Sequence, residues 1–241
     1  MKAERYFYLG AGILMFVLML IGFQSFYLDG KAYPGREIPP PIRTLVYIHG
    51  ISMTAWMILY CLQSTLIITR YHRTHMFIGR LAALSATAIT ITGLMLAVRS
   101  TSIMPPGFAL WGLSGKEFMA VPFLGILLFA AMVGAGIWFR RKPKIHRPMM
   151  LFATLNALSA ALARIDAFSR TYQGTTWERI FGPFLLTILI GAALVLLRML
   201  VTRKFDKWFT ISFAIMALAL LLTIVVARTA LWVKFVDLLI S

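Results

Sequence analysis

Seven stretches of this chain contain no Asp, Glu, Lys or Arg: Tyr6–Leu28, Thr44–Thr69, Leu81–Val98, Phe118–Phe139, Pro148–Ala163, Ile180–Leu197 and Phe209–Ala227. Each approaches or exceeds the ~17–25 apolar residues that cross a ~30 Å hydrocarbon core as helix. Inside hydrocarbon no water is available to backbone N–H and C=O groups, so a spanning segment must satisfy them itself. The runs are too long for the strands of a barrel. The expectation is therefore an all-α polytopic membrane protein, one domain over residues 1–241, with seven transmembrane helices. They fall at about 6–28, 44–70, 76–98, 118–139, 148–168, 180–202 and 208–233, the fifth running through Arg164 to Phe168.

Charge then orients the spans. The net charge is +16, which in a soluble protein would suggest nucleic acid. Here 60% of residues are hydrophobic and the basic ones lie between apolar runs, so no nucleic-acid partner is expected. Arg70, Arg73 and Arg80 follow the second run, Arg140, Arg141, Lys142, Lys144 and Arg147 the fourth, and Arg203, Lys204 and Lys207 the sixth. The positive-inside rule assigns these three turns to the cytoplasm, where they would meet anionic lipids. Asp29, Glu37, Glu117, Asp166 and Glu178 fall in the opposite connections. The N-terminus is then cytoplasmic and the C-terminus outside, in a bacterial inner membrane. Lys2 and Arg5 precede the first run without a small-x-small cleavage site before Asp29, which reads as a retained anchor.

The outer connections carry Pro34-Gly35, Pro39-Pro40-Pro41 and Pro105-Pro106-Gly107, which predict turns. Trp111, Trp177 and Trp232 at outer ends, with Trp138 and Trp208 at inner ends, read as an interfacial aromatic belt. A shift of 71 positions lays Arg70 on Arg141 and His75 on His146, followed by Ala82 on Ala153, Leu84 on Leu155 and Ala86 on Ala157. This suggests a parallel repeat of two hairpins, helices two and three and helices four and five. Gly79, Ala83, Ala86, Thr90, Gly93 and Ala97 share one face of the third helix. Such small residues form a packing seam and place that helix at the centre of the bundle.

The polar residues inside the spans are few. His49, Met53, Trp56, Tyr60 and Gln63 recur in steps of four and three, so one face of the second helix carries nearly all its hydrogen-bonding groups. That face either satisfies its groups across neighbouring helices or lines a path for a ligand or proton. A charge at membrane depth costs at least ~2.5 kcal/mol unless paired or hydrated. Arg164 and Arg228 near the outer ends therefore join His49 as a candidate pocket for an anionic or quinone-like head group. At the inner ends His75 and His146 each open a helix, where exposed amides and nearby arginines attract lipid phosphate. The same two histidines could instead ligate one haem b. Cys61 is the only cysteine, which excludes a disulfide or a Cys-based cluster within one copy.

The run from Arg70 through His75 to Gly79-Arg80, preceded by His49, Trp56 and Gln63, resembles an uncharacterised family of bacterial polytopic membrane proteins. So does Ile145-His146-Arg147-Pro148-Met149-Met150-Leu151 followed by Ala163-Arg164, the likeness covering about residues 44–165. The family is a domain of unknown function, so the resemblance implies a membrane topology and directs attention to His49, His75, His146 and Arg164 without naming a reaction. The paired hairpins are similar to the four-helix core of cytochrome b561-type proteins. Those carry four haem-ligating histidines, a number and depth that this chain does not supply.

No Gly-rich phosphate loop, Ser/His/Asp grouping or acidic cluster stands out. Three function classes follow. One is a binding module or membrane-complex subunit holding a lipid, quinone or anionic ligand near the outer face through His49, Trp56, Tyr60, Gln63, Arg164 and Arg228. The second is a haem b electron-transfer protein using His75 and His146. The third is a small transporter or proton-coupled permease built on the repeat.

Overall fold

The computed structural model describes residues 2–32 and 36–240, with side chains from Tyr6 onward, so the Pro34-Gly35 turn signal lies outside the described residues. The described chain is helical apart from one two-stranded hairpin. In order it forms α1 (Lys2–Gly22), α2 (Gln24–Asp29), α3 (Pro40–Ile68), α4 (His72–Ser102), β1 (Ala109–Leu110), β2 (Leu113–Ser114), α5 (Gly115–Phe118), α6 (Ala120–Trp138) and α7 (Pro143–Ala157). There follow α8 (Ser159–Leu162), α9 (Asp166–Ser169), α10 (Thr176–Phe181), α11 (Leu185–Thr202), α12 (Lys207–Ala227) and α13 (Ala230–Ile240). Five segments are long and apolar enough to cross a membrane: Pro40–Ile68, His72–Ser102, Gly115–Trp138, Thr176–Thr202 and Lys207–Ala227. Tyr6–Gly22 is a shorter apolar helix.

The helices form a bundle with two unlike ends. The basic end carries the tight turns before α4, α7 and α12; the loop end carries the hairpin, α9, α10 and α13. α3 pairs with α4 and α6 with α7, each an antiparallel hairpin closed at the basic end. α4 packs on α6, α12 covers α6 and α7, and α1 lies against α3 and α8.

Burial places α7 at the centre rather than the small-residue helix α4. Nine of the 15 residues of α7 are buried, from Ile145 to Asn156, against seven of the 31 in α4. The reason is that α7 is flanked by α6, α12, α1 and α11, whereas α4 meets chiefly α3 and α6 and its seam is one-sided. Ala86, Gly93 and Ala97 are buried, but Leu84, Ile91 and Met95 face outward.

Helix ends depart from the sequence expectations for local reasons. The fifth predicted helix starts at Pro143 and not at Pro148, because a proline at the first helical turn has no N–H to satisfy. It stops at Leu162, since Ile165 is extended (φ −79°, ψ 91°), which leaves Arg164 in a turn instead of on a helix running to Phe168. The sixth is interrupted by a 3-10 turn at Gly182–Phe184, where Gly182 takes φ +52°. The seventh ends at Ala227, and α13 begins separately after Arg228 and Thr229.

Two of the five belt tryptophans are also reassigned. Trp111 and Trp232 are each 6% exposed. Trp111 turns the β1–β2 hairpin with Gly112, both at positive φ, and stacks on Tyr172 with ring centroids 5.4 Å apart. Trp232 donates its Nε1–H to the Lys116 carbonyl at 3.0 Å. Trp138, Trp177 and Trp208 are exposed. Tyr172 donates to the Gly182 carbonyl at 3.1 Å, and burial beside Glu178 holds its phenol above the ordinary range, so it stays a donor. These contacts knit the loop end into a cover over the bundle.

One close approach is decisive for how α1 seats. A Cβ placed on Gly22 would lie 2.2 Å from the Ala161 carbonyl oxygen of α8, whereas one on Gly10 would meet nothing within 4 Å. Gly22→Ala is expected to destabilise the protein by about 1–3 kcal/mol through overpacking against backbone. Gly10→Ala should be neutral or slightly stabilising through helix propensity. Thermal unfolding of the two variants in detergent checks the contrast.

Candidate functional site

The polar face of α3 fans out to four neighbours. His49 Nδ1 lies 3.0 Å from Thr92 Oγ1 of α4, and that hydroxyl is itself 2.6 Å from the Ala88 carbonyl. A hydroxyl has one hydrogen, which goes to the carbonyl, so Thr92 accepts from His49 and the imidazole carries its proton on Nδ1. The ring fits because position 93 is glycine: a Cβ there would sit 3.0 Å from His49 Cε1 and 2.8 Å from Ile126 Cδ1. Trp56 donates to Thr154 Oγ1 of α7 at 3.2 Å and meets Phe129 edge-on at 5.0 Å. Tyr60 is 8% exposed and presses its ring on Gly12 of α1. Gln63 donates through Nε2 to the His75 carbonyl of α4 at 3.1 Å. One face of one helix thus contacts α1, α4, α6 and α7.

The two arginines expected beside His49 are held by backbone. Arg164 donates from Nη1 to the Ala160 carbonyl at 2.7 Å and spreads its guanidinium over Phe23 at 4.9 Å. Arg228 donates from Nη1 to the Arg179 carbonyl at 2.8 Å, tying the end of α12 to α10. Each therefore anchors a different piece of the loop end, while His49 sits between α4 and α6.

Both repeated histidines lie at the basic end, near the starts of α4 and α7. His75 lies close enough to His146 and Arg147 for their charges to interact. His146 Nδ1 is 2.8 Å from the Gly136 carbonyl, which can only accept, so Nδ1 carries the proton and Nε2 presents a lone pair. His75 Nδ1 and Gln63 Oε1 are buried and have no hydrogen-bond partner among the described residues. Buried polar atoms are otherwise almost always paired, and leaving one unmet costs roughly 1–3 kcal/mol. Three side chains from α3, α4 and α7 therefore offer one imidazole lone pair, one amide oxygen and one unpaired ring nitrogen. Arg73 and Arg80 of α4, Arg141 before α7 and Arg147 within it give this end positive charge.

Two cavities open elsewhere. One of about 710 Å³ lies at the loop end against Thr101, Met104, Phe108, Lys116 and Ile240; one of about 390 Å³ lies at the basic end between Lys142, Ile145 and Trp208. No family model, curated protein or solved structure matches this chain.

Several polar residues that matter to packing are not apparent from spacing. Thr92 and Thr154 are the partners of His49 and Trp56, and Asn156 of α7 donates to the Gly125 carbonyl at 2.8 Å. Arg198 does leave a trace, as a charge directly after the apolar sixth run and within the helix expected at 180–202. It is 4% exposed, 3.2 Å from Asp206, and stacked among Phe7, Tyr8 and Phe209 at 5.5–5.8 Å. Asp206 also caps α12 by accepting from the Phe209 N–H at 3.2 Å. Asp206→Ala should cost about 2 kcal/mol or more, since it removes a helix cap and a partner of a buried guanidinium. The pair of Asp166 and Arg170 is exposed on both sides, and Asp166→Ala should cost less than about 1 kcal/mol. Equilibrium unfolding of both variants measures the difference.

Proposed function

We propose that the protein is an integral membrane binding module, crossing a bacterial inner membrane seven times, that holds the head group of a quinol at its basic, cytoplasmic end. The five long apolar helices support this, together with α1 and the α7–α8 segment, whose 20 residues from Pro143 to Leu162 extend about 30 Å. The basic turns support a cytoplasmic assignment for that end. The antiparallel pairs α3–α4 and α6–α7, with His75 and His146 near the starts of α4 and α7, are consistent with two copies of one hairpin.

The observation that carries the ligand assignment is the set of unused acceptors. Gln63 Oε1 and His146 Nε2 can only accept, and the His75 ring can do either, so the complementary ligand donates hydrogen bonds. A quinol donates through its hydroxyls; the oxidised quinone has only acceptors. An anionic head group such as a phosphate also lacks the donors that these atoms require. The alternative at the opposite end draws less support, because Arg164 and Arg228 are already bonded to carbonyls.

Titration of the detergent-solubilised protein with a short-chain quinol and its quinone, followed by tryptophan fluorescence, tests this. The quinol should bind more tightly, and Gln63→Leu should weaken quinol binding about 2–10-fold, the worth of one net hydrogen bond. Equal affinity for the two oxidation states, or a Gln63→Leu variant that binds quinol like wild type, overturns the assignment.

The fixed tautomer of His146 favours one second reading. A histidine that ligates a metal generally donates its other ring N–H to a carbonyl or carboxylate, as His146 does to Gly136. His75 and His146 would then hold a haem b through their ring nitrogens, and that group would supply one-electron transfer. A Soret band in protein purified from haem-replete cells, lost on His146→Ala, would establish this reading. Its absence leaves the quinol reading.

A further inference from the structure

α13 is the one helix of the loop end that presents two apolar faces. Trp232 and Val236 are buried, while Leu231 and Leu238 are each 79% exposed and Phe235 is 37% exposed. At 100° per residue, positions 231, 235 and 238 lie within about 60° of one another and nearly opposite the stripe of 236 and 240. Such a stripe left in water would be costly; each fully buried Leu or Phe gains roughly 1.5–3 kcal/mol.

Contacts locate the helix on the flank of the bundle. Its first turn follows Arg228, which is tied to α10 at the loop end of α12. Trp232 and Phe235 rest on Phe123, in the first turn of α6, with ring centroids 5.9 Å away in both cases. Trp232 and Asp237 hold the carbonyl and ammonium of Lys116, and Ile240 reaches the cavity that Thr101 lines at the end of α4. Both ends of α13 therefore sit at one level of the bundle, and the helix, about 16 Å long, runs across the side of α6 from α12 to α4. The apolar surfaces it bridges are those of α12, where Leu222 and Val225 are exposed, and of α4, where Ile91, Met95 and Ile103 are exposed.

Charge agrees with this placement. Asp237 is the only acid on α13 and is neutralised by Lys116 at 2.5 Å, which leaves exposed Lys234 beside the apolar stripe. We propose that α13 is an interfacial helix that lies along the membrane surface and dips Leu231, Phe235 and Leu238 into the boundary between head groups and acyl chains. The proposal rests on the seven-span membrane reading. An amphipathic segment with a basic residue flanking a Leu/Phe stripe binds this boundary through buried apolar area and attraction to anionic head groups. A membrane-spanning seventh helix extending through residue 233 is replaced by a span ending at Ala227 and a helix in the plane.

The test uses the full chain with Cys61→Ser, carrying single cysteines at Leu231→Cys or Leu238→Cys labelled with a small fluorophore. The protein is reconstituted in phosphatidylethanolamine and phosphatidylglycerol vesicles. Labels at Leu218→Cys, exposed in the middle of α12, and at Gln173→Cys, in an exposed loop, serve as lipid and aqueous references. Both α13 labels should be quenched several-fold more by a lipid bearing a nitroxide near the head group than the Gln173 label is, and only weakly by iodide. Iodide quenching equal to that at Gln173 would falsify the proposal, as would protection from both quenchers, which indicates a protein covering the stripe. If the Leu218 label escapes a lipid bearing its nitroxide deep in the acyl chain, the membrane reading falls and the interfacial helix with it.

Discussion

A helix surrounded by protein is stabilised when the polar groups it carries find partners, and α7 carries His146, Thr154 and Asn156. Much of the bundle is arranged around those partners. His146 Nδ1 is met by the Gly136 carbonyl at the end of α6, Thr154 by its own Met150 carbonyl and by the Trp56 indole, and Asn156 Nδ2 by the Gly125 carbonyl, while Asn156 Oδ1 has no partner among the described residues. Each bond pulls a particular neighbour to a particular height along α7. In apolar surroundings, where hydrophobic burial does not drive one helix against another, such bonds and close packing of small residues decide the arrangement.

The two ends of the bundle solve different problems. At the loop end, polar and aromatic groups close on one another: Arg228 on Arg179, Tyr172 on Gly182, Trp111 on Tyr172, and Trp232 and Asp237 on Lys116. At the basic end Gln63 bonds the His75 backbone, while Gln63 Oε1 and His75 Nδ1 have no partner among the described residues. Unsatisfied buried groups disfavour the folded state, and the two at this end, on neighbouring helices, favour a functional reading over a purely structural one.

Much of the candidate site was legible as residues but not as a constellation. The steps of four and three along α3 put His49, Trp56, Tyr60 and Gln63 on one face, and they do share it. Periodicity could not say that the face meets α4, α7, α1 and α4 in turn, because the neighbours of a helix are set by crossing geometry and not by its own spacing. The pairing of His75 with His146 was suggested by the 71-residue offset, which relates them as like positions. The offset says nothing of the Gly136 carbonyl that fixes the His146 tautomer. Arg164 shows the opposite failure: its depth was judged from a continuous helix, and the extended backbone at Ile165 puts it in a turn.

By itself the sequence determined the fold class and the positions of the apolar segments, because hydrocarbon leaves a spanning backbone no choice but to bond within itself. It also determined which turns are basic. Only the tertiary structure decided that α7 and not α4 is central, since the small-residue seam of α4 records close approach on one side and not burial on all sides. Only the tertiary structure decided that the last apolar stretch is two helices. The break at Arg228 and Thr229 has no proline or glycine to announce it. It follows from Arg228 reaching the Arg179 carbonyl and Trp232 reaching the Lys116 carbonyl, contacts between residues 49 and 116 positions apart.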